Sequence, residues 1–305
     1  MPGRSRRGLA AVGLACLLAG LAGCGGDSAG AEENEQSLEE QIGLDEEGIR
    51  LKQTTAENLI RDCMKNEGFD YVPQDPTAQE AALLGGQTMS KDDFEKQYGY
   101  GITTLYEQRR KLAVAGPNKD IRDSLPEADR KAYDEALHGD DPTATFFDAL
   151  DSGDFSRLGG CLKVATDQVF GGTDVVETLS AKLDELDEKM RADARMVKAV
   201  KDWTACMREK GFDGLEEQEE VDAVLKEKLE EIVGPASDVA SADGAEGEYD
   251  KAALAALQKE EVAMVTADIE CEEEHVADVE ETVAAEYEET FREENSGLLD
   301  KVAKQ

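Results

Sequence analysis

Apolar residues return every three or four positions along most of this chain, and no stretch shows strand patterns alternating with helical ones. That period belongs to amphipathic helices. Thr54-Thr55-Ala56-Glu57 matches a capping box, with Leu59, Ile60, Cys63 and Met64 on one face behind it and Gly68 as the stop. Pro73 and Pro76 then enforce an extended or turned segment. Ser90 caps a short helix running to about Tyr98, and Ser124-Leu125-Pro126-Glu127 opens another whose buried stripe is Ala132, Tyr133, Ala136 and Leu137. A helix carrying Cys161 is expected from Leu158 to Phe170.

The later pattern is longer-ranged. Val176, Leu179, Leu183, Leu186 and Met190 form a stripe, Asp193 interrupts it, and Met196, Val197, Val200, Trp203 and Met207 resume it, which fits one helix or two. An acidic helix with Val221, Val224, Leu225, Leu229 and Ile232 as its stripe ends at Gly234-Pro235, and residues 236–248 read as a loop. From Tyr249 to Glu294 there is neither Pro nor Gly, which predicts a single helix of roughly 65–70 Å.

One phrase is written twice. Cys63-Met64-Lys65-Asn66-Glu67-Gly68-Phe69-Asp70 recurs as Cys206-Met207-Arg208-Glu209-Lys210-Gly211-Phe212-Asp213 with unchanged spacing. It reads as the last turns of a helix with a buried thiol and thioether, closed by a glycine able to take the left-handed conformation. Each copy is followed by one further cysteine, Cys161 and Cys271 respectively. Four thiols allow three pairings, and the repeat favours Cys63 with Cys161 and Cys206 with Cys271.

Composition sharpens the fold class. The 305 residues include only 16 aromatics, counting Phe, Tyr and Trp together, beside abundant Ala, Leu and Val, which favours helices packed through small and aliphatic side chains. The expectation is an all-α, bundle-like, disulfide-stapled chain: a leader at 1–23, an acidic flexible tether at 24–48, and two helical units at 49–172 and 173–305, the second ending in the long helix.

The leader sets the compartment. Arg4, Arg6 and Arg7 precede a short apolar run that ends in Leu21-Ala22-Gly23-Cys24, which resembles the lipobox of bacterial lipoproteins. The resemblance implies acylation of Cys24 and a lipid-anchored protein on the extracytoplasmic face of the cell membrane. Both a general secretory and a twin-arginine route fit the arginines. Removing residues 1–23 takes three arginines and no acids, carrying the formal charge from −37 to −40. Such a field opposes nucleic acid and anionic headgroups, so the expected membrane contact is the lipid itself, and multivalent cations or basic partners, an envelope protein among them, are what it favours.

Candidate chemistry is sparse. Cys271 and His275 share a helical face at a metal-ligand spacing, but a disulfide would occupy Cys271, so no metal and no cofactor are expected. His138 has no nucleophile motif near it. Asp148, Asp151 and Asp154 lack an EF-hand pattern. Tyr98, Tyr100 and Tyr106 around Gly99 and Gly101 suggest the plug of a helical core or, less simply, the lining of a ligand site. Trp203, the only Trp, reads as a core anchor beside a staple.

The lipobox, the doubled motif, Tyr98-Gly99-Tyr100-Gly101, the Ser-Leu-Pro-Glu opening, Gly159-Gly160-Cys161 and Ala267-Asp268-Ile269-Glu270-Cys271 together resemble a group of actinobacterial lipoproteins of unknown function. The resemblance implies location and disulfides and supplies no catalytic residue. The functional expectation is a non-enzymatic binding or scaffold lipoprotein of the envelope, with a solute- or cation-binding lipoprotein serving a transporter as the alternative.

Overall fold

The computed structural model describes residues 37–87, 89–113, 116–141, 155–234 and 249–303, and every regular element among them is helical. In chain order these are α1 (Leu38–Ile42), α2 (Glu46–Asn66), α3 (Pro76–Leu83), α4 (Lys91–Tyr98), α5 (Tyr106–Ala113), α6 (Pro117–Ser124), α7 (Glu127–His138), a 3-10 turn at Phe155–Arg157, α8 (Gly160–Phe170), α9 (Thr173–Ala192), α10 (Ala194–Glu209), α11 (Glu220–Val233), α12 (Lys251–His275) and α13 (Ala277–Ala303). The expected loop at 236–248 and the acidic stretch of Asp148, Asp151 and Asp154 lie outside the described residues, as do the leader and Cys24.

Apolar burial falls into separate clusters. The largest is built by α9 to α13 around Trp203, Met207, Leu225, Val265, Val276 and Val283. A second joins α2, α7 and α8 through Ile60, Met64, Tyr133, Cys161 and Ala165. A smaller one gathers Leu83, Leu84, Phe94 and Leu105.

Four expectations are corrected. Residues 37–48 are not a tether: Ser37 and Glu40 form a capping box, and Leu38 and Ile42 are buried with Leu299 and Val302 in the large cluster. Two apolar residues suffice once α13 offers a surface. The expected start at Thr54 is mid-helix, because the Thr54 and Thr55 hydroxyls donate to the carbonyls of Arg50 and Leu51 at 2.8 Å and leave the helix unbroken. The single long helix is two, α12 of 25 residues and α13 of 27, separated at the enclosed Val276. Finally, the units 49–172 and 173–305 are crossed in space, since Ile102 belongs to the large cluster and α4 packs on α12.

The stripe around Asp193 resolves into two helices. Asp193 adopts φ −62°, ψ 135°, ends α9 and caps α10 by accepting from the Arg195 N–H at 2.8 Å. Arg195 then reaches both Asp193 and Glu286 of α13.

Both copies of the doubled motif close in the same way. The N–H of Gly68 donates to Lys65 O and that of Phe69 to Met64 O; Gly211 and Phe212 donate to Arg208 O and Met207 O correspondingly. This is the paired-bond helix terminus that requires a left-handed residue, and φ is +91° at Gly68 and +98° at Gly211. Met64 and Met207 are fully enclosed. The staples are formed as expected, Cys63 with Cys161 and Cys206 with Cys271, at Cα separations of 5.6 and 5.8 Å.

Candidate functional site

A largely enclosed hydrogen-bond network lies where the Tyr98–Thr104 loop crosses α12. Glu261 is fully enclosed and accepts four hydrogen bonds: from the N–H groups of Ile102 (2.7 Å), Thr103 (2.8 Å) and Thr104 (3.0 Å), and from the Thr103 hydroxyl (2.6 Å). These donors converge just before α5, so a side chain from α12 caps a turn over 150 residues away in sequence. Gly99 makes the crossing possible. Its φ is +62°, and a Cβ there would meet Glu261 Cγ at 2.8 Å.

One helical turn pair further on, Asp268 accepts from the Tyr100 hydroxyl at 2.6 Å and from Trp203 Nε1 at 2.8 Å. It therefore ties the loop, α10 and α12 to one carboxylate. The Tyr98-Gly99-Tyr100-Gly101 motif becomes intelligible as a strap: the glycines bring the backbone onto Glu261, and Tyr100 reaches Asp268. The three tyrosines do not converge. Tyr98 packs on Phe94 and Tyr106 on Tyr249, with ring centroids 5.4 and 5.8 Å apart. Trp203 is the enclosed anchor its position suggested.

Glu261 and Asp268 escape a reading by apolar stripe alone. The buried positions of α12 include Leu254, Leu257, Glu261, Met264, Asp268 and Cys271. Two acids occupying steps of a three-four repeat were the available signal, hidden because Val262 and Ile269 sit beside them and complete a plausible apolar stripe one position over.

Carboxylates continue past the strap. Burial, then the neighbouring charges of Asp268 and Glu280, push Glu272 up to about 7, with Lys91 opposing and Glu95 adding. Burial also raises Asp268, against the bonds from Tyr100 and Trp203, and raises Glu280, with Asp187 and Glu219 adding. A raised carboxylate holds its proton in the fold at pH values where the unfolded chain has released it. The native state therefore carries the extra proton between the ordinary value of 4.5 and about 7, and stability falls as pH rises across that window. The unfolding midpoint is expected to be higher at pH 5 than at pH 8, with Glu272 contributing about 1–3 kcal/mol. Thermal melts of the wild type and Glu272→Gln test this; equal pH dependence in the two chains would refute the assignment.

A groove of about 180 Å³ between α9 and α13 is floored by Leu186, Tyr287 and Phe291 and rimmed by Lys189 and Glu294. It is smaller than the roughly 300–1,000 Å³ typical of ligand pockets. At the end of α12, ligand-type atoms of Cys206, Glu274 and His275 lie within 4.8 Å of one another. His275 thus meets the second staple, whereas His138 closes α7 and is not brought to it. Among the described residues no helix is long and apolar enough to cross a membrane.

In chemical terms, Glu261 and Asp268 hold a loop and two helices together, and each of their four carboxylate oxygens accepts from a protein donor. Comparison with protein-family models, with curated proteins and with solved structures finds no match to this chain.

Proposed function

We propose that this protein is an exported, lipid-anchored, non-enzymatic binding or scaffold module of the cell envelope. The observation that carries the reading is the pairing of all four cysteines among the described residues, the bonding state that an oxidising compartment sustains. It agrees with the lipobox at Cys24 and with an acidic chain suited to a basic envelope partner. The lipid on Cys24 attaches the chain to the membrane, and the helical body presents its acidic faces on the extracytoplasmic side. A cation-binding role serving a transporter draws on one specific observation, the approach of Glu274 and His275 to the second staple, whose sulfurs can join them as ligands only after reduction.

The test is fractionation of cells producing the wild type and Cys24→Ala. The wild type is expected in the membrane fraction, with a mass showing an acylated cysteine as the first residue, and the variant in the soluble fraction. Retention of Cys24→Ala in the membrane, or a wild-type chain lacking the acyl mass, would sink the anchor. Crosslinking in the same cells is expected to capture a basic membrane protein with the wild type and to lose it with the variant.

A further inference from the structure

The doubled motif makes two staples with unlike surroundings. Cys63–Cys161 is set among Ile60, Met64, Tyr133 and Ala165. Cys206–Cys271 instead has a carboxylate and an imidazole beside it, since an oxygen of Glu274, a ring nitrogen of His275 and Cys206 Sγ lie within 4.8 Å of one another. Cys271 is bonded to that same sulfur and precedes Glu274 and His275 by three and four residues on α12, so all three share one helical face. The donors come from two helices, α10 and α12, which the Trp203–Asp268 hydrogen bond already holds together. Among the described residues no other group of three such side chains converges in this way.

We propose that reduction of the Cys206–Cys271 bond converts this corner into a zinc site with Cys206, Cys271, His275 and Glu274 as its ligands. In the disulfide neither sulfur is a thiolate, so the site is closed to metal. A dithiol reductant opens it in two exchanges: its first thiolate attacks Cys206 Sγ and releases Cys271 as a thiolate. Its second thiolate then attacks the reductant's own sulfur in the mixed disulfide and releases Cys206. The reductant leaves as its disulfide, two electrons having passed to the cysteine pair. The metal binds both thiolates, and the protons they would otherwise hold stay in solvent.

Two thiolates, an imidazole and a carboxylate make a tetrahedral zinc donor set. Ligands about 2.0–2.3 Å from a tetrahedral zinc stand roughly 3.3–3.8 Å from each other, so the three donors of Cys206, Glu274 and His275, within 4.8 Å of one another, need only a small approach, and Cys271 joins them as its sulfur separates from that of Cys206. The negative field of the chain favours approach of a cation. The second copy of the motif thus differs from the first in kind: one staple is purely structural, the other conceals a metal site.

The experiment uses the full mature chain, oxidised or reduced with a phosphine that does not ligate zinc. Zinc is titrated in competition with a chromophoric chelator while Trp203 fluorescence, one turn from Cys206, reports on the corner. The reduced chain is expected to bind one zinc at least about 100-fold more tightly than the oxidised chain. His275→Ala is expected to weaken binding by more than the roughly 10–100-fold that follows loss of an outer-shell partner, while leaving the oxidised melt unchanged. The Cys63→Ser/Cys161→Ser chain keeps the full zinc response. Helicity is followed in parallel: if reduction loosens the fold, zinc restores the helical signal in the wild type and not in His275→Ala. Equal zinc affinity of reduced wild type and reduced His275→Ala, or of reduced and oxidised wild type, would overturn the proposal.

Discussion

Glu261→Ala is expected to lower the free energy of unfolding by roughly 3–5 kcal/mol, because it leaves two enclosed N–H groups, one half-buried N–H and one enclosed hydroxyl without their acceptor. The loss does not stop at the four bonds. Arg109 lies within electrostatic reach of Glu261 and is itself disfavoured by burial, so the variant removes one of the two acidic charges, Glu261 and Asp222, that offset that burial. Glu261→Gln keeps one accepting oxygen but turns an NH2 group toward backbone donors, and is expected to cost about half as much, roughly 2 kcal/mol. Urea denaturation followed by circular dichroism measures both. A loss below about 1 kcal/mol for the alanine variant would mean that the loop finds its acceptors elsewhere and that Glu261 does not hold it.

The second large effect concerns the staples. Replacing Cys206 and Cys271 together by serine is expected to destabilise the chain by roughly 4 kcal/mol on the chain-entropy account, since the bridge spans 65 residues. The Cys63–Cys161 bridge spans 98, and its removal is expected to cost slightly more, roughly 4–5 kcal/mol. The two losses should differ in location as well as size. Cys63–Cys161 belongs to the α2, α7 and α8 cluster, whereas Trp203 reports on the cluster of α9 to α13. Without the first bridge, helicity should begin to fall before Trp203 fluorescence changes; without the second, the fluorescence transition should move down with the helical one. Coincident transitions in the first variant would show that the two clusters unfold as one unit, against this expectation.

Several elements were legible because their determinants lie within a few residues. The doubled helix end depends on a glycine at one position and an aromatic after it, and both copies form the same pair of backbone bonds. The disulfide pairing followed from the order of cysteines relative to that repeat. The errors share a different cause. The capping signature at Thr54 was locally correct chemistry overruled by a helix whose Thr hydroxyls bond back along it. Leu38 and Ile42 offered too little apolar surface to be noticed, and became core only against Leu299 and Val302. The division at Val276 carries no Pro or Gly; its enclosed side chain takes its place from the packing around it.

The same distinction governs the candidate sites. Cys271 and His275 stood out by their spacing, but the arrival of Cys206 and Glu274 beside them is a tertiary fact. Tyr98-Gly99-Tyr100-Gly101 stood out as a motif, yet its meaning depends on Glu261 and Asp268, which its own neighbourhood does not contain.

What the sequence determined by itself is the helical class and the two repeated helix ends, because periodicity and capping act between residues at most four or five apart, while the pairing of the thiols was favoured by their order relative to the repeat. What only the tertiary structure decided is where apolar runs break, which acids are enclosed and which staple has metal-type ligands beside it. Those depend on distant contacts such as Tyr100 with Asp268, 168 residues apart, and a carboxylate is stable in such an interior only where distant donors have been folded onto it.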